Sequence, residues 1–412
     1  MHPGETLADS DTHHPTTQHI MKRTHPTLAA LALTAISALI LTSTARAGTA
    51  SAAASKAVVE PAKAESSVFD DLWKLATLYK NDSNPFIQEL KLRGRYHGQY
   101  HWLDSDPGND NGWEDRRSRL GIDARLFGKK IELRIDAQSS DGFDPFYNGL
   151  VDAYIKWKPC DAFNLTLGRQ KPQIGYFDFL QSTNTQPTFE RSAIFNNLKV
   201  DRVVGAVVEG KVEKFSWQAG IYSNDIDKEF GGLDGGVSYG AGIGYDLKES
   251  LGLDKAEVRL DYLHSDIDLA DTILNKYENL FSATGWVREG RWGGVAEAFL
   301  GTGVAPDIFG FYLQPTFDLI PKRLQIVGRY TFATGDGPDS VSAQSRYEGR
   351  APNLTGSGKG ETYNAVYLGG QYFVHGDKLK FLAGVESADL DGGGNGGDYS
   401  GWTFLTGVRI AF

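Results

Sequence analysis

The chain has 412 residues, among them 48 glycines and one cysteine, with 12% aromatic residues and a formal net charge of −10. That acidic balance offers no basic footprint for nucleic acid, and one cysteine excludes an internal disulfide or a thiolate metal cluster. No apolar run reaches the roughly 20 residues that a membrane-crossing helix needs.

The longest such run, Leu28–Leu41, is interrupted by Thr34 and Ser37. It reads as the centre of a signal peptide, with Lys22 and Arg23 as its basic end and Ala45-Arg46-Ala47 as a small-residue cleavage site. Met21 directly precedes the basic pair, so translation is expected to start there. Residues 1–47 are then an upstream extension plus an exported leader cut after Ala47. Residues 48–86 form a lead-in. Its first part, 48–67, is Ala/Ser/Lys/Glu-rich and expected to be disordered. A short amphipathic helix follows, with Leu72, Leu75, Ala76 and Tyr79 on one side, and Asn84-Pro85 ends it.

From Ile87 the pattern alternates. Leu90, Leu92, Tyr96, Tyr100 and Trp102 oppose Glu89, Lys91, Arg93, Arg95, His97, Gln99 and His101. About fourteen alternating residues exceed an ordinary strand of five or six. Leu120, Ile122, Ala124 and Leu126 then oppose Arg117, Arg119, Asp123 and Arg125, while Ile131, Leu133 and Ile135 oppose Glu132, Arg134 and Asp136. Further strands are expected around Val151–Trp157 and near Leu165, Val207, Trp217, Gly242, Leu260, Ala283, Ala298, Leu313, Ile326, Val366 and Phe381. The last, 401–412, carries Trp402, Phe404, Val408, Ile410 and Phe412 on one parity. The alternation is weakest at 200–210, 237–247 and 280–300. Short connections (128–130, 158–161, 210–214, 289–290, 320–322, 373–378) interleave with longer ones (103–115, 173–199, 223–236, 264–278, 333–360, 387–400). These features predict an all-β, up-and-down antiparallel transmembrane barrel over 87–412. About sixteen strands, apolar outside and polar within, leave a lumen wide enough for water and solutes.

Leu92-Arg93-Gly94-Arg95-Tyr96, Arg116–Gly121, Leu167-Gly168-Arg169-Gln170-Lys171-Pro172 and Phe189-Glu190-Arg191-Ser192, with the terminal phenylalanine, together resemble the phosphate-selective porin O/P family. The likeness extends over roughly 87–412, and the Gly-Arg-Gln-Lys-Pro strand end followed by Glu-Arg-Ser is its most specific part. It implies a sixteen-stranded homotrimer in the bacterial outer membrane, embedded in lipid, with one water-filled pore per protomer. It also implies a third loop folded inward as a constriction and passive uptake of small anions such as phosphate or polyphosphate. Residues expected in that loop's narrow zone are Tyr176, Asp178, Gln181, Asn184, Glu190 and Arg191. Asp178 and Glu190 there would repel anions.

The basic wall expected to line the pore comprises Lys91, Arg93, Arg95, Arg117, Arg119, Arg125, Arg134 and Arg329. Lys156, Arg323, Lys380 and Arg409 share their parity. Fixed guanidinium and ammonium groups favour anion entry, although carboxylates on the same face can neutralise them. A carbohydrate- or alginate-type channel would use the same wall against carboxylated sugars. No serine motif accompanies His97, His101, His264 or His375, so no enzymatic chemistry and no cofactor are expected.

Overall fold

A computed structural model describes residues 68–412 apart from 199, 227–228, 233–235, 267–276, 304 and 393–395. The leader 1–47 and the tail 48–67 lie outside the described residues. One antiparallel sheet holds seventeen strands. Sixteen form the closed wall: β1 (Ile87–Ser105), β2 (Asp110–Leu126), β3 (Ile131–Ser139), β4 (Leu150–Cys160), β5 (Phe163–Gln170), β6 (Val203–Val212), β7 (Phe215–Ser223) and β8 (Val237–Asp246). They continue as β9 (Lys255–Ser265), β10 (Asn279–Glu289), β11 (Trp292–Thr302), β12 (Ile308–Ile320), β13 (Leu324–Gly335), β14 (Thr362–Phe373), β15 (Leu379–Asp391) and β16 (Tyr399–Ala411). Each strand pairs with the next, and β16 returns to β1 with Gly401 opposite Ser105 and Ala411 opposite Arg95. Closure leaves no row of unpaired amides, which hydrocarbon would not tolerate.

Every strand expected from the sequence is present. One connection differs: 103–115 is not a long loop. β1 and β2 run for 19 and 17 residues and meet across 106–109. Polar residues at their tips therefore belong to strands that rise beyond the lipid. The remaining connections include short turns at 161–162, 213–214 and 290–291 on one rim and long loops at 171–202 and 336–361 on the other, where 303–307 is a short exception.

Parity sorts the faces. On β16, Trp402 and Phe404 are exposed while Thr403 and Arg409 are buried. Aromatic pairs mark the short-turn rim: Phe86–Phe127, Trp157–Phe163, Phe215–Tyr245 and Trp292–Phe317, with ring centroids 4.5–6.1 Å apart. Such rings sit at the membrane interface. Trp286 is different, since it points inward and meets Phe177 edge-on, with ring centroids 5.5 Å apart.

The Gly-Arg-Gln-Lys-Pro strand end has a steric basis. Gly168 has φ +124, and a Cβ there would lie 2.3 Å from the Ala153 carbonyl oxygen. Arg169 Nε donates to the Leu150 carbonyl at 3.1 Å, and Gln170 Nε2 donates to the Gly205 carbonyl at 3.3 Å. We expect Gly168→Ala to destabilise the barrel by about 1–3 kcal/mol, because any side chain meets backbone in a disfavoured conformation. Urea unfolding in detergent measures this, and an unchanged midpoint would contradict it.

Candidate functional site

The connection between β5 and β6 enters the barrel. Its apolar residues Ile174, Phe179, Ile194, Leu198 and Val200 form one cluster with inward Val203, Val207, Tyr222, Leu263, Leu280, Phe299 and Ile308 of β6–β12. That side of the lumen is a packed hydrophobic core. It also explains the weak alternation near 200–210 and 280–300: the strands there have apolar residues on both faces.

The loop's far edge is fastened to the opposite wall by charge. Glu190 receives Arg116 Nε at 2.6 Å and Arg116 Nη2 at 3.0 Å, Arg117 Nη2 at 3.5 Å and Gln99 Nε2 at 3.2 Å. Arg409 donates to the carbonyls of Thr183, Gln186, Thr188 and Phe189 at 2.7–2.9 Å. Arg329 donates to the Glu190 carbonyl at 2.8 Å and to Glu386 at 3.0 Å. Burial opposes ionisation of Glu190, but Arg116 and Arg117 outweigh it and hold the carboxyl well below the usual carboxylate range. Glu190 is therefore a staple and does not project into the passage.

Parity places Arg116 outside, yet it reaches Glu190. The register slips between the His97–Arg117 and Gly98–Asp115 pairs, so a β-bulge turns two consecutive arginines inward. The adjacent Arg-Arg pair was the only sequence signal for it.

The open space lies on the other side, between the loop and β1–β5, and occupies about 260 Å³. Of the expected basic residues, Arg93, Arg95, Arg119, Arg134 and Lys156 line it, joined by Lys171, Arg191 and Arg202. Asp152 and Glu209 are the two carboxylate residues among its described lining. A neighbouring space of about 160 Å³ shares Arg93, Arg95, Arg119 and Arg134 and extends to Lys91. Arg117 and Arg329 point inward but lie beneath the loop. Arg125 is half-exposed and pairs with Glu89 at 3.1 Å near the β1–β2 base.

Charge compensation is uneven. Arg93 contacts Asp136 at 2.9 Å, Arg134 contacts Asp123 at 2.8 Å, Arg202 contacts Asp152 at 2.8 Å, and Lys156 pairs with Glu209. Arg95 instead donates to Thr183 Oγ1 at 2.9 Å and Ser182 Oγ at 3.3 Å. Arg119 reaches Gln138 at 3.4 Å, and its Nε is buried with no partner among the described residues. Lys171 donates to the Phe179 carbonyl, which also accepts from Arg191 at 3.1 Å. Gln181 lines the space, and Asn184 Oδ1 meets His97 Nε2 at 2.9 Å. The side chains of Tyr176 and Asp178 lie outside the described residues. Lys171, part of the Gly-Arg-Gln-Lys-Pro stretch, and Arg202 sit in loop segments without period, so parity gives neither side chain a direction.

A second loop, 336–361, braces the first. Gln344 Nε2 donates to the Arg191 carbonyl at 3.2 Å, and Tyr347 donates to Glu386 at 2.6 Å. Arg346 and Arg350 contact Glu114 at 3.0 and 3.1 Å.

Removing one partner of a buried ion cluster costs about 3–5 kcal/mol. Glu190→Gln should therefore loosen the loop, giving larger and noisier single-channel currents in planar bilayers. Currents indistinguishable from the parent chain would contradict the staple.

Residues 90–243 match the model of the phosphate-selective porin O and P family. No curated protein sequence matches the chain. Among solved structures, OmpF of Salmonella typhi in complex with daunomycin is similar at TM-score 0.57 and 13% identity, covering 82% of this chain and 100% of that one. OprB of Pseudomonas putida is similar at TM-score 0.55 and 13% identity, covering 78% and 94%. The anion-selective porin of Comamonas acidovorans gives TM-score 0.54 and 12% identity over 78% and 99%. The closed barrel is the porin fold, and the chain is similar over residues 90–243 to the phosphate-selective porin O and P family; together the matched region and the fold support an outer-membrane channel for small solutes.

Proposed function

We propose that the channel favours anions, phosphate and related oxyanions among them, and works as a homotrimer with one passage per protomer. The observation that carries this is the lining of the 260 Å³ space, where eight basic residues face two acidic ones. Arg95, Arg119 and Lys171 have no carboxylate within ion-pair distance among the described residues, so their charge is directed at whatever enters. Guanidinium groups offer paired donors to phosphate oxygens. Two likenesses support the reading: the anion-selective porin of Comamonas acidovorans, and OmpT of Vibrio cholerae, solved in a trimer form.

Passage by anions requires sites that bind weakly enough to release. Several separated cations along one wall provide that, whereas a single enclosing cluster would trap the ion. Arg93 and Arg134, already paired with Asp123 and Asp136, shape the wall more than they attract.

A planar bilayer under a KCl gradient should give a zero-current potential of the sign for chloride permeation. Arg95→Gln with Arg119→Gln should move it toward the cation side, and Arg93→Gln should move it less. A cation-selective parent chain would reject the proposal. Millimolar phosphate should reduce chloride current, and absence of block would remove phosphate from the proposed solutes.

Burial, then Arg191 and Arg202, push the Lys171 ammonium well below its ordinary pKa. Raising the pH removes its proton before those of exposed lysines, so anion preference should fall with rising pH. Lys171→Met should flatten that fall, and an identical pH profile would contradict the role given to Lys171.

A further inference from the structure

We propose that the lead-in segment 68–80 lies in the lipid interface of the short-turn rim, where it completes the barrel wall and anchors the N-terminal tail to the membrane surface. β1 extends past the end of β16: Gly94 and Phe412 exchange backbone hydrogen bonds, each 3.0 Å. Below that point the edge of β1 is taken over by the lead-in. Leu92 N donates to the Ala76 carbonyl at 2.8 Å, and the strand Thr77–Lys80 pairs with Glu89–Lys91. The lead-in strand therefore continues the line of β16 in the wall.

Register fixes its outer face. Thr77 stands opposite inward Lys91 and Tyr79 opposite outward Leu90, so Tyr79 joins the lipid-facing side. The preceding helix, α1 (Val68–Lys74), has three faces. Phe69 and Trp73 pack on His375 with ring centroids 5.9 and 5.3 Å away, and Trp73 Nε1 donates to the Ala411 carbonyl at 2.5 Å. Asp71 and Lys74 form an exposed ion pair at 2.7 Å. Val68 and Leu72 on the helix and Leu75 in the turn just past it, spaced i, i+4 and i+7, form the third side and are 76%, 56% and 74% exposed.

That apolar stripe continues through exposed Leu78 and Tyr79 to Phe86 and Phe127 on the rim. So many large apolar side chains left uncovered in one short stretch mark an interaction surface. Continuity with the lipid-facing belt names the occupant: the headgroup–acyl boundary of the adjoining leaflet. A helix with one apolar and one charged face suits that position.

The sole cysteine, Cys160, allows a direct test. In a Cys160→Ser chain reconstituted in phosphatidylcholine vesicles, Leu75→Cys and Asp71→Cys each carry a fluorescent label. Shallow lipid-attached nitroxides should quench the label at 75 at least twofold more than the label at 71, and aqueous iodide should show the opposite order. Preferential iodide quenching at 75 would overturn the proposal in favour of a water-facing segment. Shielding from both quenchers would overturn it in favour of a protein partner. Equal lipid quenching at 71 and 75 would overturn the assigned orientation. Recovery of the label from folded, heat-stable barrel keeps these outcomes independent of folding failure.

Discussion

A loop of peptide can cross the interior of a barrel only if its carboxylates and carbonyls find fixed donors on the far side. Here Arg116, Arg117, Arg329 and Arg409 supply them, meeting Glu190 and the backbone of 183–190. Four guanidinium groups that sequence parity marks as inward or adjacent are thus consumed in holding the loop. What remains for a solute is the set that the loop leaves uncovered.

The division of the lumen follows. On the β6–β12 side the loop offers isoleucine, phenylalanine and leucine to inward apolar residues, and burial there expels water. On the β1–β5 side it offers hydroxyls, amides and Lys171, and the wall offers arginines. An apolar contact on one flank and an ionic staple on the other fix the loop between two surfaces. The open space therefore lies eccentrically, along one wall.

Much of this was legible in the chain. Period-two alternation located most of the sixteen strands because lipid and water demand opposite residues on opposite faces, and it faded at 200–210, 237–247 and 280–300. Closure and the terminal aromatic parity followed from the same demand. Less legible was everything set by tertiary contact. The bulge that turns Arg116 inward leaves no periodic trace, and Glu190, expected to guard the neck, is silenced by two arginines distant in sequence. Lys171 and Arg202 lie in aperiodic loop segments, where sequence carries no direction. The first outer connection reads as loop in the sequence because the polar tips of β1 and β2 rise beyond lipid, where both faces meet water.

The most direct test of the eccentric space is thiol modification of single-cysteine chains in a planar bilayer. In a Cys160→Ser background, Tyr154→Cys places a thiol on the open wall and Val207→Cys places one behind the apolar core. A charged methanethiosulfonate reagent should cut the current through the first and leave the second unchanged. Block through position 207, or none through 154, would contradict the account.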